Sequence, residues 1–292
     1  FREVVRAAPD RWEGHAGVAR ALQVLDQHGE AVSSWRDALR RRESDPLLWV
    51  GLGVSCAALG SMEEAVEALE KATRLDADCA PAYNQLAVVY KDLGRIPEAA
   101  QAVRNAIRLD PTEPVFHYTL GLHARAQGEV KEAEEAFKQA TRLKPDYADA
   151  QFEFGSASAE LGRNDVAIEA FRKAVHVRPD HAETHHRLGR VYVAAGRLVE
   201  AVEAFRQGLR VNPDHFDATF ALANTFVAMS RHEDAIEQYQ RALTLRPEHA
   251  DSLLKLGGVY AGLNRQREAI ETLERALRVK ADHPDAYLAL GD

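Results

Sequence analysis

Along this chain the apolar positions follow a helical spacing that recurs at a fixed interval. In the stretch from Ala80, Tyr83, Leu86 and Tyr90 stand three and four residues apart, the spacing that gathers side chains on one face of an α-helix. A glycine follows the apolar run in most such stretches, at Gly60, Gly94, Gly128, Gly162 and Gly196. Glycine there predicts a helix stop. A second apolar face begins a few residues later. An acid opens it in many cases, as at Glu64, Glu98 and Glu200, where a carboxylate suits the positive end of a helix. Pro111, Pro145, Pro179, Pro213 and Pro247 then mark the exit from the second helix.

The interval is 34 residues. The stretches beginning at Pro145, Pro179 and Pro213 align without a gap, and the register extends over the chain. Ala31, Ala65, Ala99, Ala133, Ala167, Ala201, Ala235 and Ala269 form one column. Seven residues later runs Ala38, Ala72, Ala106, Ala140, Ala174, Gly208, Ala242 and Ala276. Between them lies a bulky column: Trp35, Leu69, Val103, Phe137, Phe171, Phe205, Tyr239 and Leu273. Small columns let helices approach closely. One helix pair cannot bury its apolar face alone, whereas a stack of pairs can.

The residues Tyr83, Leu86, Ala87, Tyr90, Gly94, Ala99, Ala106 and Pro111, with their equivalents one period away, resemble the tetratricopeptide repeat family. The resemblance implies an all-α, right-handed superhelical α-solenoid of stacked antiparallel helix pairs. Eight repeats are expected, at 12–45, 46–79, 80–113, 114–147, 148–181, 182–215, 216–249 and 250–283. Residues 1–11 read as the end of a preceding repeat and 284–292 as the start of a further helix, which predicts a longer parent chain. Some positions depart from the family pattern. Asp26 stands where glycine is usual, and Glu43, Ala77 and Ala281 stand where proline is usual, so the local turns there are in question.

The resemblance also implies which faces are free. Counting each repeat from 1, positions 4, 7, 8 and 11 are expected to pack, and positions 2, 5, 6, 9, 12 and 13 to face a concave groove. Position 5 reads Val50, Asn84, Tyr118, Phe152, His186, Phe220, Leu254 and Leu288, an apolar and aromatic ladder. Two readings stand: contact with a ligand, since exposed apolar patches mark interaction sites, or tucking against neighbouring helices. His186, Arg187 and Arg190 add a cationic centre between Phe152 and Phe220, and Lys255 follows two repeats on. Arginine pairs with carboxylates through its planar fork. Asp149, Glu183, Asp217, Asp251 and Asp285, all at position 2, read as first-turn acids that stabilise their helices. Arg95, Arg163 and Arg197 read as solvated turn residues.

Family functions are tested on the same positions. The chaperone-binding members hold a carboxylate with a Lys/Asn pair at positions 5 and 9. Here Asn84 is followed by Val88 and Asn224 is preceded by Phe220, so that clamp is absent. The asparagine ladder of the O-linked glycosyltransferase members is matched only at Asn224.

Composition narrows the function classes. The 292 residues are 46% hydrophobic and 28% charged, as in a folded chain rather than a disordered one. A net charge of −8 argues against nonspecific nucleic-acid binding. No apolar run approaches a membrane span, so membrane insertion is not expected. No localisation signal is readable, which leaves the cytoplasm as the default. No phosphate loop, G-x-S-x-G, HExxH or CxxC occurs, and the two cysteines, Cys56 and Cys79, form no cluster. No catalytic set and no cofactor is expected.

His181, His185 and His186 lie within six positions and pose the question of a metal. His181 falls at position 34, in the turn shared by His215, His249 and His283. His185 falls at position 4, among packing residues, and His186 at position 5. Three separate environments are expected, and no metal site.

The expected function is a scaffold that binds a peptide or helix of a protein partner in its groove. Tyr118, Phe152, His186, Arg187, Arg190, Phe220, Asn224, Leu254 and Lys255 are the expected contacts. One alternative is a non-catalytic targeting or regulatory region of a larger multidomain enzyme. Another is self-assembly through the ends of the stack.

Overall fold

A computed structural model of the chain describes residues 10–280. The expected turn residue His283, the acid Asp285, the ladder residue Leu288, Ala281 and the further helix at 284–292 lie outside the described residues, as does most of the part-repeat at 1–11.

The described residues are all-α, with no strand among them. Contacts divide the chain at Pro145 and Asp146 into two compact bodies. The first holds helices α1 Trp12–Val24, α2 His28–Arg41, α3 Pro46–Ala58, α4 Met62–Leu75, α5 Ala80–Asp92, α6 Ile96–Leu109, α7 Pro114–Ala126 and α8 Val130–Leu143. The second holds α9 Ala148–Glu160, α10 Asn164–Val177, α11 Ala182–Ala194, α12 Leu198–Val211, α13 Phe216–Ala228, α14 His232–Leu245, α15 Ala250–Gly262 and α16 Gln266–Val279. Within each body the helices pack in successive pairs, each pair against the next, as in an α-solenoid.

The three columns seen in the sequence are the core. The first alanine column is 0–4% exposed from Ala31 to Ala269. The bulky column from Trp35 to Leu273 is sealed just as closely, and the second small column is buried with it. In five hairpins the bulky side chain lies across a glycine of its partner helix. A Cβ on Gly121 would meet the Phe137 ring at 2.5 Å, and one on Gly53 would meet Leu69 at 2.6 Å. Dispersion over such contacts holds each hairpin shut.

The turn inside each hairpin is a left-handed residue. The five glycines at 60, 94, 128, 162 and 196 have φ between +71° and +78°. Where glycine is missing, Asp26, Ser230 and Asn264 take φ of +56°, +56° and +58°. The Asp26 turn therefore has the same form as the rest, with an aspartate tolerating the conformation that glycine adopts freely.

Candidate binding groove and a histidine cluster

The aromatic rungs of the position-5 ladder, Tyr118, Phe152 and Phe220, are half-buried, and a recurring geometry explains it. Each ring leans on the bulky column of its own hairpin. Tyr118 lies 5.8 Å from Phe137, Phe152 lies 5.8 Å from Phe171, and Phe220 lies 5.9 Å from Tyr239. In the second body the turn histidine at position 34 closes the other side. Phe152 meets His181 edge-on at 5.6 Å, and Phe220 meets His249 at 5.3 Å. Aromatic pairs favour such offset and edge contacts. These contacts tuck one side of each ring against its hairpin and leave the ring partly exposed.

The turn histidines have a second task. His215 Nδ1 accepts the Ala218 backbone N–H at 3.2 Å, and His249 Nδ1 accepts that of Ser252 at 3.1 Å. Each thereby caps the N-terminus of the next helix, whose first N–H groups have no partner within the helix. Position 4 also has a polar role. His185 Nε2 donates to the Pro179 carbonyl at 2.8 Å, as do His117 Nε2 to Pro111 and Trp49 Nε1 to Glu43. A ring N–H six residues downstream thus ties down the turn carbonyl.

His186 corrects the expectation most sharply. It is not a groove-facing cation: it is 7% exposed. Its ring lies 5.0 Å from that of His215, and its Nδ1 lies 3.5 Å from Glu183 Oε2. His215 Nε2 lies 3.3 Å from the same oxygen. The three closely spaced histidines 181, 185 and 186 do keep separate surroundings. The histidine that joins His186 is 29 positions on, and Glu183 completes a set of three potential metal ligands within 4.8 Å of one another. Burial depresses the pKa of His186, against the pull of Glu183, and so favours the neutral ring. Burial pushes the Glu183 carboxyl up, but hydrogen bonds from Arg187 and His215 outweigh it and leave the group below the usual carboxylate range. Glu183 is therefore more than a first-turn acid.

Arg187 is half-exposed and its Nε donates to Glu183 Oε1 at 2.6 Å. Arg190 is exposed. Both line a cavity of about 270 Å³ in the second body, together with Ser156, Asn164 and Phe171. Lys255 is exposed and Leu254 half-buried. Asn224 is engaged: its Oδ1 accepts the Tyr239 hydroxyl at 2.6 Å. In the first body a cavity of about 660 Å³ opens beside Trp49, Leu39 and Leu52. Two pairs of its charged rim are already engaged with each other, Lys71 with Glu43 at 3.4 Å and Arg36 with Glu64.

The turn arginines are not simply solvated. Arg95 stacks 4.3 Å over Tyr90, and Arg197 stacks 4.8 Å over Tyr192. Arg231 over Phe226 and Arg265 over Tyr260 repeat the arrangement. Each also bonds the acid three residues on, as Arg197 Nε does with Glu200 at 2.9 Å. Position 11, expected to pack, is thus covered by a guanidinium plane. The signal lay in the sequence as an aromatic followed by arginine five residues later.

Neither thiol has the exposed, electropositive surroundings of a nucleophile. Both are buried, and burial pushes Cys56 up to about 11. No described helix is long and apolar enough to cross a membrane.

Residues 13–174 match the family model described as the Cilia and flagella-associated protein 70 C-terminal domain. Residues 186–250 and 220–281 match the Tetratricopeptide repeat model. No curated protein sequence matches the chain. Among solved structures, the C-terminal part of a TPR repeat-containing protein from Cytophaga hutchinsonii superposes with a TM-score of 0.69 at 18% identity, covering 82% of this chain and 99% of that one. PilF of Pseudomonas aeruginosa gives 0.57 at 22% identity, covering 72% and 95%. YrrB, described as a TPR protein with an unusual peptide-binding site, gives 0.53 at 24% identity, covering 63% and 95%. At these identities the likeness is one of fold.

Proposed function

The chain belongs to the tetratricopeptide-repeat family, with residues 13–174 in the family of the Cilia and flagella-associated protein 70 C-terminal domain, and on that premise we propose that it is a non-catalytic scaffold that binds an extended or helical segment of a protein partner. The fold supports protein–protein scaffolding in general. The finer reading divides the chain into the eight 34-residue repeats from 12–45 to 250–283 and centres binding in the second body. One observation carries it: the cavity beside Phe171 is flanked by Arg187 and Arg190, and the Arg190 side chain is exposed. An acidic or phosphorylated side chain of the partner enters beside the guanidinium groups, whose planar forks match an oxyanion. Apolar neighbours of that side chain rest on the exposed edges of Phe152, Phe220 and Leu254, with Lys255 as a further cation. Tyr118 offers the same kind of edge in the first body. His186 supports this surface from behind, and Asn224 holds Tyr239.

Selection of displayed random peptides on the purified chain tests the proposal. The expected consensus has an acidic residue flanked by apolar ones. Arg187→Glu with Arg190→Glu weakens the selected peptides at least about tenfold, since losing a charged contact in a binding centre costs about 2 kcal/mol. Selected peptides without an acid, or binding unchanged by the double substitution, overturn it.

A second reading is favoured by the description of the matching model as a C-terminal domain: a repeat region that serves a larger multidomain protein, including an enzyme. The sequence of the full gene tests it. An adjoining domain of recognisable chemistry supports this reading, and its lack removes it.

A further inference from the structure

The strongest unexplained polar feature of the second body is His186 Nδ1. The atom is buried and has no hydrogen-bond partner. Such atoms are rare, because leaving one unsatisfied costs stability. This one is aimed at the same carboxylate oxygen that His215 approaches from the next turn, 3.5 Å and 3.3 Å away respectively.

We propose that Glu183, His186 and His215 form a binding site for a divalent transition-metal ion, with Zn2+ the best fit. The ligand atoms are Glu183 Oε2, His186 Nδ1 and His215 Nε2, and one coordination position is open to water or to a partner's side chain.

The geometry supports this. Bonds of about 2.0–2.1 Å in a tetrahedral array place neighbouring ligand atoms about 3.3–3.4 Å apart. Two of the three ligand–ligand edges already have nearly that length. All three atoms lie within 4.8 Å of one another, so a small rotation of the rings closes the last edge. Two imidazoles and one carboxylate suit zinc. Magnesium and calcium prefer oxygen-only shells.

The surroundings fit as well. A metal ligand has to present a lone pair, so a neutral imidazole and an ionised carboxylate are needed. Burial lowers the pKa of His186, against the pull of Glu183, and so favours the neutral ring. The Arg187 Nε–H holds Glu183 Oε1 at 2.6 Å, which orients the carboxylate with Oε2 toward the two imidazoles. No other described repeat combines an acid at position 2 with histidines at positions 5 and 34. The repeats on either side place Phe152 and Phe220 where His186 stands.

Proton bookkeeping gives an independent readout. His215 Nδ1 accepts the Ala218 N–H, so the neutral ring carries its proton on Nε2. A metal on Nε2 requires the other tautomer: the Nε2 proton is lost to solvent and one is taken up at Nδ1, which frees the Nε2 lone pair for the metal. Ala218 N–H then loses its acceptor. Loading therefore shifts the Ala218 amide resonance.

The test uses the chain freed of metal by a chelator, titrated with Zn2+ by calorimetry and with Co2+ by visible absorption. The parent is expected to take up one tight equivalent of Zn2+ and to give the intense Co2+ band of a four-coordinate site. With 12 histidines in the chain, weak surface binding is expected in every variant. Glu183→Gln and His215→Gln each weaken the tight equivalent at least about tenfold. His249→Gln removes a cap of the same kind one repeat on and leaves Zn2+ uptake unchanged. Circular dichroism checks that each variant is folded. Should His215→Gln unfold the chain, Glu183→Gln and the Ala218 resonance of the parent decide the matter. The proposal is overturned by the lack of a tight equivalent in the parent, by equal binding in parent and Glu183→Gln, or by an Ala218 resonance unmoved at saturating Zn2+.

Discussion

Gly189 lies so close to Phe205 that a Cβ on the glycine would come within 2.6 Å of the ring. Phe205 is fully buried and cannot withdraw. Gly258, also helical, has nothing within 4 Å of its would-be Cβ. The same substitution therefore acts with opposite signs at the two sites. Alanine improves helix propensity by about 1 kcal/mol at either place. At 189 overpacking of about 1–3 kcal/mol outweighs the gain. Urea denaturation should show Gly189→Ala less stable and Gly258→Ala more stable than the parent. Equal effects would mean that the hairpin is looser than the packing described.

The turns offer a comparable pair. Ser230 holds φ at +56° without glycine's freedom, whereas Gly162 sits at +71°. A left-handed conformation costs a residue with a Cβ about 1–2 kcal/mol. Gly162→Ala is expected to lower the melting temperature, by about 1 kcal/mol in stability. Ser230→Gly is expected to raise it, by less, because glycine loses more entropy on folding. A thermal melt of each variant checks both signs.

Acid should weaken the fold through His123. The ring is 3% exposed and neither nitrogen has a partner. Burial, helped by nearby Lys91, pushes its pKa below the usual histidine value. The unfolded chain thus binds a proton near pH 6.5 that the native ring refuses. Stability from this group is complete above about pH 6.5 and declines as pH falls toward the native pKa. His186 acts with the same sign. His123→Leu removes one such group, and the drop in stability between pH 7 and pH 5 should shrink. A pH series of urea melts measures it. An unchanged slope would mean that His123 has a partner or is reached by water.

The ring N–H at position 4 makes a further test. His185→Phe keeps most of the ring volume but leaves the Pro179 carbonyl without its donor. A lost hydrogen bond of this type costs about 1 kcal/mol. Denaturant melts should show that loss, and a neutral result would mean that water replaces the ring.

The fold was legible because its determinants recur. The alanine columns, the bulky column and the turn position are each stated several times over, so one period exposes all of them. The site was less legible because it depends on a single repeat. The pairing of His186 with His215 joins positions 5 and 34, which sit next to each other only once the hairpin is folded. A signal was present: aromatic rings or histidine occupy position 5 in three of the four successive repeats that carry a turn histidine, at Phe152 with His181, His186 with His215 and Phe220 with His249, while Leu254 stands with His283. Treating position 5 as solvent-facing hid it. The arginine stacks were missed for a similar reason, since a charged turn residue reads as solvated unless the aromatic five residues earlier is considered with it.

The turn histidines also bear on how the second body comes apart. His215 touches the His186 ring of one repeat and caps the first turn of the next helix, and His249 does the same for Phe220 and the helix that follows. Each is a rivet through two adjoining repeats. In a stack whose stability is a sum of repeat and nearest-neighbour terms, a rivet adds to the neighbour term alone. Its loss leaves each hairpin intact but lets adjoining hairpins open separately. A body that melts as one block should then fray repeat by repeat, with a broader transition at little change in helical content.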